Sequence, residues 1–154
     1  MAAFAASTAP RDELRREDDL LAIPMMDNVV IYKGDLVLID ATGYARPVYG
    51  TGTTADCFAG VAAETMDNTE TGHATGLKSV RVWRTGSFIF TKASAAQTDV
   101  GIAVYTDVST AGTPTTVTTA ASKASFVGMV SEYIDATHVR VTINTNDILN
   151  LGAA

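Results

Sequence analysis

Residues 78–107 read KSVRVWRTGSFIFTKASAAQTDVGIAVYTD, and this stretch decides the fold class. Two apolar runs, 80–90 and 100–105, flank a short polar link. Val80, Val82, Phe88, Ile89, Val100, Ile102, Val104 and Tyr105 are β-branched, aromatic or aliphatic side chains that fit a pleated, half-buried surface. Gly86 interrupts the first run and predicts a bulge or bend there. The single Trp, Trp83, sits between Arg81 and Arg84.

Working outward, the same β chemistry recurs in short pieces. Towards the N-terminus, 29–32 (VVIY) and 36–39 (LVLI) read as strands around a Lys33-Gly34-Asp35 turn. Residues 44–49 suggest a short strand that Pro47 restricts to an edge. Residues 58–65 (FAGVAAET) read as a small-residue strand, followed by a polar loop over 66–76. Towards the C-terminus, 114–119 and 125–132 read as strands, with a turn over 134–137. In 138–144 (HVRVTIN), Val139, Val141 and Ile143 alternate with polar residues, so one face is buried. Many short strands separated by turn signals predict an all-β sandwich or small barrel.

The pattern also repeats. Phe58-Ala59-Gly60-Val61-Ala62-Ala63-Glu64 returns as Phe126-Val127-Gly128-Met129-Val130-Ser131-Glu132, the frame F-x-G-hydrophobic-hydrophobic-x-E. Upstream, 34–40 (GDLVLID) matches 101–107 (GIAVYTD); downstream, Val80-Arg81-Val82 matches Val139-Arg140-Val141 after a longer loop in the first copy. Three matched blocks in one order predict two copies of a β unit that bury their apolar faces together. On this reading 80–90 ends the first copy and 100–107 opens the second.

The bulk numbers bound the function. With 154 residues the chain is one domain, with or without an arm. Charged residues make up 18%, low against a typical ~25%. The net charge is −6, and the 11 Lys and Arg are scattered, which argues against direct nucleic-acid binding. The lone Cys57 leaves no intrachain disulfide and fits a reducing compartment. No basic-then-apolar leader and no run of ~18 apolar residues is present, so neither a secretory signal nor a membrane span is expected.

Catalytic patterns are weak. Residues 50–55 (GTGTTA) lack the Lys and helix of a phosphate loop. No G-x-S-x-G elbow accompanies His73 or His138. Asp67, Glu70 and His73 share one loop, where solvation is the simpler reading than a cation site. Glu64 and Glu132 fall at equivalent places in the repeat and read as structural strand-end carboxylates. No catalytic residue, cofactor or metal is expected.

The ends differ from the body. Residues 1–27 read as an extended arm: a small-residue start, then the charged run 11–21 (RDELRREDDLL) with pairs at helical spacing. The body spans 28–146, and 147–154 (DILNLGAA) is a short tail. The candidate interface residues are Arg11, Leu14, Arg15, Leu20 and Leu21 in the arm, with Arg81, Trp83 and Arg84 near the centre.

From 34 to 144, about three quarters of the chain, the sequence resembles the small capsid cement, or decoration, proteins of tailed bacteriophages. That family is often mislabelled as a phage recombinase. The matching segments are G-D-L-V (34–37), F-A-G-V-A (58–62), and Val82, Gly86 and Phe88 of V-x-x-x-G-x-F. An Ala-rich link (93–96), G-I-A-V-Y-T-D (101–107), F-V-G-M-V (126–130) and V-R-V-T-I (139–143) complete the pattern. The resemblance implies a virion protein made in the host cytoplasm and bound to the outer capsid surface, where it clamps the major capsid protein without chemistry. Self-association as a homotrimer, or else a dimer, is expected beside that contact. Another virion β protein, such as a head fibre base or tail component, and a non-viral β-barrel binding module are the alternatives.

Overall fold

The computed structural model describes residues 20–48, 56–107, 114–120 and 125–145. The described residues form an all-β fold with antiparallel sheets. The first half holds β1 (Leu20–Pro24), β2 (Val30–Ile31), β3 (Leu36–Ile39), β4 (Ala45–Pro47), β5 (Cys57–Ala62), β6 (Met66–Asp67) and β7 (Ser79–Trp83). The second holds β8 (Thr85–Thr91), β9 (Ala103–Thr106), β10 (Val117–Thr118), β11 (Phe126–Asp135) and β12 (His138–Asn144). One five-stranded sheet runs β1-β7-β5-β3-β4 and the other β8-β12-β11-β9-β10, while β2 and β6 pair by themselves.

The two orders coincide when β1 is matched to β8, β3 to β9, β4 to β10, β5 to β11 and β7 to β12. The match extends to single hydrogen bonds. Gly34 N donates to Ala62 O, and Gly101 N to Val130 O; Ala62 N donates to Asp35 O, and Val130 N to Ile102 O. Gly34 and Gly101 both have positive φ, 93° and 86°, at equivalent turns. Each F-x-G segment carries the same register shift, between Phe58 and Gly60 opposite β3 and between Phe126 and Gly128 opposite β9. Each sheet then curls until its edges touch: Met25 meets Ala45, and Thr91 meets Thr116, as isolated parallel bridges.

Four points differ from the sequence reading. The run 80–90 is not one strand: it divides at Arg84, and β8 belongs to the second unit, so the seam lies at Arg84 and not between 90 and 100. The ladder from Thr85 to Thr91 keeps its register along β12, so Gly86 marks no bulge. Leu20–Pro24, placed in the arm, is the edge strand β1 along β7. Leu21 and Ile23 alternate with Ala22 and Pro24, but the charged run before them hides this period of two. Pro24 is tolerated because it lies at a strand end on an edge. β6 lies in the segment read as polar loop and pairs with β2. Arg11, Leu14, Arg15 and the tail 147–154 lie outside the described residues.

Two apolar clusters form the core. The first lies inside the first unit and joins Ile23, Met25, Ile31, Val37, Ala59, Val80 and Val82. The second joins Phe90, Val104, Val127, Val130, Val139 and Val141, at the equivalent positions of the second unit, to Leu36, Leu38, Phe58 and Val61 on the opposite face of the first. The units are therefore stacked in one direction. The outer face of the first packs with the inner face of the second, and the central strands β3 and β5 of the first sheet are buried on both sides.

Candidate functional site

The seam is built from a few polar contacts. Arg84 donates from Nε to Thr145 Oγ1 at 3.1 Å and from Nη2 to Thr145 O at 3.2 Å. Thr145 N donates back to Arg84 O at 2.8 Å. The residue joining the units thus clasps the end of the last strand. A cleft of about 160 Å³ at this seam is floored by Leu21, Ile23, Ile39 and Phe58 and rimmed by Arg84 and Thr145.

The central candidates separate in space. Arg81 and Trp83 point outward from β7, since Val80 and Val82 point into the core. Arg81 is held by Glu64, with Nη2 at 2.9 Å from Oε2, and this hydrogen bond lowers the Glu64 pKa. Arg140 and Glu132 make the equivalent 2.9 Å pair in the second unit. The repeated glutamates therefore lock the F-x-G strand to the VRV strand twice. Arg84 turns to the seam instead. Leu20 stands directly opposite Trp83 across the β1–β7 ladder, while Leu21 pairs with Val82 and packs on the inner cluster. The outward group is therefore Leu20, Ala22, Arg81 and Trp83, in which Leu20 is half-buried and Trp83 is 41% exposed.

The loop acids are engaged locally. Asp67 accepts from Thr69 N at 2.8 Å, and Lys78 Nζ lies 2.9 Å from Glu70. His73 Nδ1 stands 4.0 Å from Asp27. Among the described residues, no group of three or more His, Cys, Asp or Glu could hold a metal ion.

A second exposed face was not singled out by the sequence. Outward on the second sheet, Met129 lies between Ala103 on β9 and Thr142 on β12, and Phe126 lies opposite Tyr105. The Tyr105 and Phe126 rings meet edge-on, with centroids 5.9 Å apart. Met129 is 49% and Ile89 50% exposed. The signal that finds this face is the repeat itself: Ala103, Tyr105, Phe126 and Met129 match Leu36, Leu38, Phe58 and Val61, which are buried.

No protein-family model matches this chain, and no curated protein or solved structure does either.

Proposed function

We propose that this protein decorates an assembled phage capsid, binding the outer surface of the major capsid protein lattice and holding neighbouring subunits together. The residues quoted above over 34–144 supply the direction of this reading. One observation carries it further: Trp83 stands exposed beside Leu20 on a sheet whose charged neighbours are bonded to each other. A large aromatic on a rigid β surface, ringed by satisfied polar groups, is the make-up of a binding anchor. The ladders around it fix its position, so little side-chain order is lost on docking.

The physical effect is mass action. A protein that binds the assembled lattice and not the loose subunits stabilises the assembled state. Many modest contacts on one shell add up to a large total resistance to pressure from packaged DNA.

The test is co-sedimentation with DNA-filled heads of the phage that carries the gene, beside a mixture with unassembled major capsid protein. Wild-type protein pellets with heads and does not bind loose subunits. Trp83→Ala keeps its melting temperature but loses at least about tenfold in head affinity, as expected of an interface anchor. Wild-type protein left wholly in the supernatant refutes the proposal.

A further inference from the structure

The cleft at the seam is shared by the two units. Leu21, Ile39 and Phe58 line it from the first, and Phe126 from the second. Leu21, Ile39 and Phe126 are only half-buried, so apolar surface is left at the junction. Cys57, the single cysteine of the chain, stands half-buried on the same wall.

Size and sequence narrow the occupant. A volume of about 160 Å³ is small beside the roughly 300–1,000 Å³ of a small-molecule pocket. It is close to the roughly 150 Å³ that takes one benzene-sized apolar group, so it suits one or two aliphatic side chains. The described residues end at Thr145, which itself lines the cleft and is held there by Arg84. Asn146-Asp147-Ile148-Leu149-Asn150-Leu151 follow directly. At full extension Ile148 reaches no more than roughly 10 Å from Thr145, and Leu151 roughly 20 Å. Asp147 brings a carboxylate to the rim where the Arg84 guanidinium lies. The other segments that lead to the cleft suit it less. Residues 15–19, before Leu20, are all charged, and charges are costly to place against apolar walls. Residues 49–55 and 121–124 contain no Leu, Ile or Val.

We infer that the C-terminal segment turns back at Thr145 and lays the aliphatic side chains of 148–151 in the seam cleft, with Asp147 beside Arg84. The segment then touches both units at once and ties them together beyond the Arg84 clasp. This contact is separate from the Trp83 group and does not depend on the capsid reading.

The rate at which an uncharged maleimide labels Cys57 in the folded full chain tests this. Ile148→Ser, Leu149→Ser and Leu151→Ser together raise the rate at least about tenfold, as loss of local cover does, while the circular dichroism spectrum stays that of the wild type. The matching triple change to Met, which keeps the segment apolar, retains the wild-type rate. Leu14→Ser, in the N-terminal segment, also leaves it unchanged. Equal rates in wild type and the triple Ser variant overturn the inference, whether the cleft is open in both or covered by something else in both. A rate raised by Leu14→Ser and not by the triple Ser variant assigns the cleft to the N-terminal segment and overturns it too.

Discussion

A β-carbon built on Gly60 would lie 2.2 Å from the carbonyl oxygen of Trp83, and one built on Gly128 would lie 2.2 Å from that of Thr142. The two clashes are the same clash, made twice by the repeat. Backbone oxygen in a ladder cannot swing aside as the end of a flexible side chain can. Gly60→Ala and Gly128→Ala are each expected to destabilise the protein by about 3 kcal/mol or more, at the severe end of single substitutions. Chemical denaturation reads this directly; a midpoint unchanged in both variants would refute the close-approach account. The need for glycine was legible, because the residue recurs inside a recurring frame. Its cause was not, since Trp83 and Thr142 enter only through strand pairing. The glutamates of the same frame were legible as structural, but their arginine partners lie beyond a loop of different length in each copy.

At the scale of elements, β1 changes how the N-terminus is understood. Ile23 and Met25 are buried in the inner cluster, and β1 covers the edge of β7. Removing two such core side chains costs about 2–5 kcal/mol each, a large part of a typical total of 5–15. Deleting residues 1–27 is therefore expected to unfold the first unit, whereas deleting 1–19 keeps the cooperative transition. Circular dichroism melts of the two truncations decide this: equal stability would show that β1 is dispensable. β12, with its strict alternation, was readable from sequence, whereas β7 alternates equally but was read into one run with β8. β1 was masked by the charges before it, and β6 was masked because its two residues sit within eleven mostly polar ones. The seam at Arg84 was hidden because β7 and β8 are separated by one residue and both are apolar.

The whole molecule gathers its acids into one pH response. Asp135 accepts first from Thr137 N and then from His138, and these bonds lower its pKa to about 2. Glu64 is lowered by Arg81, Asp67 by Thr69 and Asp99 by the backbone of Ala96. A carboxyl with a depressed folded pKa adds stability above its unfolded value, and that stability is lost as pH falls through the folded one. Asp35 opposes this, because burial raises its pKa despite the bond from Tyr32 N. Asp40, which accepts from Tyr44 N and Thr42, is lowered as well, so among the described residues five depressed carboxyls against one raised set the sign. The melting temperature is expected to fall as pH drops from about 4 to about 2, and Asp135→Asn is expected to flatten the lower end of that fall. A melting temperature that rises on acidification would reverse the assignment. The all-β class and the duplication were evident from residue pattern, but the direction of stacking was not. Both units alternate apolar residues on both faces of their central strands, so composition does not say which face is covered.

That one-way stack gives the chain an order of assembly in time. The inner cluster of the first unit draws only on residues up to Val82, so it can close while the remainder is still being synthesised. The second unit completes its cluster only against Leu36, Leu38, Val48, Phe58 and Val61. Until it arrives, the nascent first unit shows those five side chains to water, a sticky interval that lasts as long as the ribosome takes to reach Ile143.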